Sequence, residues 1–279
     1  MTSLLFLYLF RTIMIIITTQ RNKMKKSLII TAMVLNLLVY STNSFAFSIS
    51  PMHLTLEPTG ESSTQSFYIE NNHDETLQIE TVLQDRTVDV KGEENSKPSA
   101  QAAKDLVVYP PIFTLKPHEK RSIRIAYRGQ DKNPSPELLY RLLVKEIPSK
   151  NKNKGKSGAV LYFNYVMAIY VTSPESNSKV VSKKVESTMV YDKKLKKEFH
   201  LMKILFENEG TTHQYFKYYH LTIIPKDPAL KTKKFVYTQK DGIATNNQII
   251  LSKHEREFSI PWPPSVPTGD VDVTVDFNN

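Results

Sequence analysis

The chain has 279 residues, 40% hydrophobic and 23% charged, with 37 lysines and arginines against 28 acidic residues and no cysteine. Without cysteine there are no disulfide staples and little support for a zinc site, so any domain must be held by its core alone. The formal charge of +9 is a weak argument for nucleic acid, because Met1 to Ala46 hold five basic residues and no acidic one. Taking those five from the 37 leaves 32 basic against 28 acidic residues, a net +4 for the remainder.

Residues 1–46 read as a leader. Met24-Lys25-Lys26, an apolar run from Leu28 to Tyr40, and small residues at Ser44 and Ala46 form a secretory signal. Cleavage is expected before Phe47, with the true start at Met24 and delivery to the periplasm. The apolar run is too short to span a bilayer and is interrupted by Asn36.

Short runs rich in β-branched and aromatic residues follow, punctuated by Pro, Gly, Asn and Lys. In chain order the predicted strands are Ile49–Leu56, Gln65–Glu70, Thr76–Leu83, Leu106–Tyr109, Arg121–Tyr127, Leu138–Glu146 and Ala159–Thr172. The polar stretch Lys91–Lys104 has room for one short helical turn. Seven strands at this spacing predict an immunoglobulin-like sandwich over 47–172. Residues 173–178 read as a linker. A second sandwich is predicted over 179–279, with strands Val185–Tyr191, His200–Glu207, Tyr215–Ile224, Phe235–Thr238, Gln248–Ser252, Glu257–Ile260 and Val271–Phe277. Asn208-Glu209-Gly210-Thr211-Thr212 reads as a hairpin loop, and Pro261–Pro267 as a rigid non-strand connection. The fold class is therefore all-β, two immunoglobulin-like β-sandwich domains in tandem.

No chemistry-bearing constellation emerges. The seven histidines lack metal-ligand spacing, and no nucleophile elbow, phosphate loop or dinucleotide fingerprint is present. No metal, cofactor, small-molecule substrate or nucleic-acid partner is expected, and the chain is read as a non-enzyme. Glu93-Glu94 and Lys193-Lys194 read as solvated surface. The basic tract Lys150–Lys156 reads as a flexible loop, with a steering patch as the minority reading.

One strand stands apart. From Ala159 to Val171 alternate residues give one face of Ala159, Leu161, Phe163, Tyr165 and Met167, and another of Val160, Tyr162, Asn164, Val166 and Ala168. Both faces are largely apolar, whereas an ordinary sandwich strand is polar outside. Two readings stay open: a central strand covered on both sides, or an edge strand whose second face awaits a partner. In the second case each Val or Tyr buried on docking contributes about 1.5–3 kcal/mol before ordering costs.

Tyr109-Pro110-Pro111-Ile112-Phe113-Thr114-Leu115-Lys116-Pro117, then Ser122-Ile123-Arg124-Ile125, resembles a stretch of the periplasmic pilus-assembly chaperones of the chaperone–usher pathway. So do Glu137–Pro148 and Leu205–Gly210 with His213, and the form around Tyr140-Arg141 is similar to divergent branches. The resemblance implies two immunoglobulin-like domains and donation of a strand to an incomplete pilus subunit, which then passes to an outer-membrane usher. It places Val160 and Tyr162 as donated residues, to which strand parity adds Val166 as a further candidate, and Arg124 with Glu137 as a structural ion pair. The family's basic carboxylate anchors fall here on His53 (or Met52) and Met167, and a further arginine on Val171. The candidate anchor set is therefore His53, Arg141 and Lys145. The alternative reading is an exported immunoglobulin-like pilus subunit or adhesin. Self-association through the apolar strand is a further expectation.

Overall fold

The computed structural model describes residues 47–148, 162–230, 233–238 and 248–277. Its first part is a sandwich of two sheets. The first sheet has the order β1-β3-β8-β6: β1 (Ser48–Ser50), β3 (Thr64–Glu70), β8 (Lys120–Tyr127) and β6 (Leu106–Tyr109). The second runs β2-β10-β9-β4-β5: β2 (His53–Leu56), β10 (Asn164–Val171), β9 (Leu138–Glu146), β4 (Leu77–Val88) and β5 (Glu94–Pro98), with β7 (Ile112–Leu115) also on β4. Alternation fills the space between them, with Phe67, Ile69, Ile79, Ile123, Ile125, Leu142, Val144, Met167, Ile169 and Val171 all buried in one core.

Several elements depart from the sequence reading. The run Ile49–Leu56 is two strands in different sheets, divided at Pro51, which has no N–H to offer a ladder. The stretch Lys91–Lys104 holds a strand, β5, before the short helix α1 (Ala100–Asp105), whose Ser99 side chain accepts from the Ala102 N–H. Strand β4 extends to Val88 to pair with β5.

The second part repeats the architecture. Strands β11 (Val180–Asp192), β12 (Lys197–Asn208) and β17 (Glu255–Pro261) form one sheet, and β15 (Phe235–Thr238), β14 (Tyr219–Pro225) and β18 (Val271–Phe277) another. The short β13 (Gln214–Tyr215) and β16 (Ile249–Ile250) pair with each other. Met202, Ile204, Phe206, Phe216, Tyr219, Ile223, Phe258 and Ile260 fill this core. The chain is thus two immunoglobulin-like sandwiches in tandem.

The 208–212 segment is not a hairpin, since β12 pairs with β11 and β17 rather than with β13. Its fully buried Asn208 organises the turn from within. The amide oxygen accepts from the N–H groups of Lys179 (3.1 Å) and Gly210 (3.0 Å), while the amide nitrogen donates to Thr212 O (2.8 Å) and Ile250 O (3.4 Å). Asn208→Ala strands these backbone groups and is expected to cost about 2–3 kcal/mol, read as a lower urea midpoint at unchanged m-value. A midpoint equal to the parent's would remove this account of the turn.

Candidate functional site

The site is built on β10, and its register explains both of its apolar faces. All eight residues from Asn164 to Val171 pair with β9, but β2 covers only Ala168 to Val171, in parallel. Parallel pairing begins where Ala168 N–H reaches Met52 O at 3.1 Å. From Asn164 to Met167 the second edge therefore has no strand among the described residues. The rear half is a central strand and the front half an edge strand, so each sequence reading describes one half.

The two faces separate in the same way. Met167, Ile169 and Val171 are buried in the first core. Facing the other way, Ala168 and Tyr170 pack against Ile249 and Leu251 of the second sandwich, with Val88, Leu139 and Tyr215 at the margin. The second apolar face of the rear half is thus covered from within the chain. Forward of this seam, Val166 is 42% exposed. It stands across from Leu143 of β9, which stands across from Val82 of β4, so an apolar row runs over three strands beside the open edge. Tyr162 is half-buried just ahead of β10, and Val160 lies outside the described residues. Tyr165 steadies this end, donating from its hydroxyl to Phe47 O at 2.7 Å and packing edge-on against the Phe47 ring.

The three candidate anchors fall in two rows. His53 and Arg141 both stand opposite Ala168, one on each side, which puts them about 10 Å apart across two strand spacings. The His53 ring lies 5.8 Å from that of Tyr215. Lys145 sits further forward, opposite Asn164, and pairs with Glu80 at 3.0 Å. Met167 and Val171, by contrast, point into the core and are fully buried. A basic side chain at either position would be turned away from this surface.

Arg124 and Glu137 do not meet. Arg124 is on the exposed face of β8, in the other sheet, opposite Ser66 and Tyr109. Glu137, only 3% exposed, turns instead to the second sandwich. One carboxylate oxygen accepts from the hydroxyls of Thr172 and Thr212, each at 3.0 Å, and lies 2.8 Å from His213 Nδ1. Its own N–H donates to Thr211 O. The His213 ring stacks on Tyr170 at 3.9 Å. The ion pair is replaced by a hydroxyl–imidazole clasp between the sandwiches, and no arginine takes part.

Sequence reading also missed a charged group behind Arg141. Glu94 bridges Arg86, at 2.6 Å, and Arg141. Arg86, whose side chain is 2% exposed, also donates to the Tyr170 hydroxyl at 2.8 Å. From the second sandwich Arg256 donates to Ile249 O and lies against Gly92, where φ is +84° and a Cβ would strain the backbone and displace the guanidinium. Nearby, Glu257 N–H reaches Val90 O at 2.7 Å. Burial would raise the Glu94 carboxyl, but hydrogen bonds and charge from Arg86 and Arg141 outweigh it and hold it below the ordinary glutamate range. Burial also pushes Tyr215 up, with Tyr170 adding to it. Glu94 looks like surface in the sequence because its partners are 8 and 47 positions away.

Among the described residues no group of three or more His, Asp or Glu could hold a metal. None of their helices is long and apolar enough to cross a membrane. The site offers an unpaired backbone edge, an apolar row and a fixed arginine, which suits the capture of an extended chain.

Residues 48–176 match the family described as pili and flagellar-assembly chaperone, PapD N-terminal domain. Among curated proteins none matches the chain. Of solved structures, the chaperone–tip adhesin complex of CFA/I fimbriae biogenesis is 14% identical, with a TM-score of 0.50 over 82% of this chain and 98% of that one. The class 5 fimbriae chaperone CfaA is 14% identical, with a TM-score of 0.49 over 84% and 100%. The E. coli chaperone DraB is 17% identical, with a TM-score of 0.44 over 79% and 87%. At these identities the likeness of the first speaks for the two-sandwich fold.

Proposed function

We propose that this chain, which belongs to the pilus-assembly chaperone family, binds pilus subunits in the periplasm by donating β10 and delivers them to an outer-membrane usher. The observation that carries this reading is the half-open state of β10. Its rear is fixed by β2 and the second sandwich, while its front presents an unpaired edge beside Val166, Leu143 and Val82.

A subunit lacking one strand gains two things by adding alongside Asn164–Met167. Its own open backbone groups are paired, and its exposed core is covered by side chains of the Tyr162–Val166 parity, which Val160 would extend. The rigid rear half keeps the ordering cost low, because the donated segment is already extended and registered against β9. For the subunit's terminal carboxylate, Arg141 offers an Nε–H with no partner among the described residues, and His53 stands across Ala168 from it. Among the described residues Lys145 pairs with the partly exposed Glu80, a contact worth about 0–1 kcal/mol, so it can exchange partners. None of these roles makes or breaks a covalent bond.

The reading is tested by co-expressing the mature chain with a pilus subunit that aggregates on its own. A soluble one-to-one complex, in which the subunit resists proteolysis, is the expected result. A subunit that still aggregates, or that co-purifies equally well when the chain lacks 159–167, would overturn it.

A further inference from the structure

The hairpin of β11 and β12 is longer than the sheet that holds it. Pairing of β12 with β17 ends at Leu201 and Pro261, yet β11 and β12 remain paired outward to Asp192 and Lys197. Trp262 N–H still donates to His200 O at 2.8 Å, and beyond it the outermost three rungs, Val190↔Phe199 to Asp192↔Lys197, form a two-stranded ribbon. Such a ribbon gains little stability by itself in water.

Its composition is unlike a solvated loop. Met189, at its base, is 59% exposed, Val190 41%, Tyr191 57% and Leu195 66%. Between and beside them stand Lys193, Lys194, Lys196 and Lys197, all exposed and none in an ion pair among the described residues. The lysines nearer the body are committed, Lys183 to Glu207 and Lys184 to Glu186. Two carboxylates share the tip with these four lysines: Asp192, which accepts from the N–H groups of Lys194 and Leu195 at 2.7 and 3.0 Å, and exposed Glu198 opposite Tyr191, so the tip keeps a net positive charge. Lys196 takes the left-handed conformation that closes the turn, with φ +50°. The geometry therefore holds Leu195 at the apex with exposed ammonium groups on both sides, that of Lys197 lying 5.5 Å over the Phe199 ring.

We propose that this tip docks on an anionic phospholipid surface. Apolar side chains at the apex enter the boundary between headgroups and acyl chains, while flanking lysines meet the negative headgroups. Four cations around one apolar apex complement such a surface better than a dry protein interface, whose centre is depleted of lysine. Each lysine near an anionic surface raises partitioning about fivefold. The tip is formed from residues of the second sandwich alone, so this docking does not depend on β10 or on subunit capture.

The test is sedimentation of the whole mature chain with vesicles of phosphatidylglycerol and phosphatidylethanolamine, against vesicles of phosphatidylcholine alone. Binding to the anionic vesicles only is expected, weakening as salt is raised. Replacing all four lysines by glutamine is expected to reduce binding by two orders of magnitude or more, and Leu195→Asp by at least tenfold. Thermal melting and subunit capture should be unchanged in both variants. Absence of binding to anionic vesicles overturns the proposal, as does binding that both variants retain. Equal binding to neutral vesicles overturns its electrostatic basis. If the variants instead lose a soluble acidic protein while vesicles are never bound, the tip is a protein-docking site and the proposal is wrong.

Discussion

Val166→Asp is expected to weaken subunit capture by about three orders of magnitude while leaving the free protein folded. Val166 lies on the outer face of the open half of β10 and is 42% exposed, so the free chain pays little for a polar replacement there, about 0.5 kcal/mol. In the proposed complex, with β10 donated, the same position would be buried against the subunit's apolar groove. The variant loses about 1.5–2 kcal/mol of apolar burial and must bring a carboxylate out of water with no partner, which costs about 2–3 kcal/mol more. Together these correspond to the stated loss at about 1.4 kcal/mol per factor of ten. Titration of a refolding subunit into the variant, beside a melting curve, separates the two effects. Tyr162→Asp should behave alike. Capture at the parental level by both variants would show that the donated face is elsewhere. A melting point far below the parent's would show that Val166 supports the fold itself.

Glu94→Ala is expected to destabilise the whole molecule by about 2–4 kcal/mol. It leaves Arg86 and Arg141, with side chains only 2% and 11% exposed, facing one another with Arg256 close by and no carboxylate between them. Removing one partner of a buried pair commonly costs about 3–5 kcal/mol. The figure is set lower here because the Glu94 side chain is 35% exposed and water screens part of the charge. The same group gives the stability a pH dependence. Its carboxyl is held below the ordinary glutamate value in the folded state, so its contribution is complete above the unfolded value near 4.5 and is lost as pH falls through the lower folded value. Urea titrations between pH 3 and 7 should show the parent losing stability toward the acid end more steeply than the variant. Parallel curves would mean that Glu94 is not the group responsible.

The limits of the sequence reading follow from where the deciding partners lie. Strands β6, β9, β15 and β18 were legible to the residue, since each needs only its own alternation and its flanking turns. The division at Pro51 was visible as a missing donor, but the switch of sheet depends on which neighbours the two halves find. The doubly apolar stretch is visible in the sequence as a break in alternation. The cover over Ala168 and Tyr170, however, comes from Ile249 and Leu251, about eighty residues further on. Glu137 was recognised as structural but assigned the wrong partner, because Thr212 and His213 belong to the second sandwich. Glu94 was taken for surface for the same reason. Local pattern reveals which way a side chain points, and the partner it meets is decided by the tertiary arrangement.

The division of β10 at Met167 places two kinds of selection on one strand. Behind it, each residue is held by β2, by the core or by the second sandwich, so a change there is felt by the molecule whether or not a client is present. Ahead of it, under the proposed donation of β10, a residue would be constrained mainly by what is being carried. The front half can therefore drift in step with its clients across lineages while the rear half stays fixed. A single strand can in this way remain a structural element and still be retuned to a new cargo.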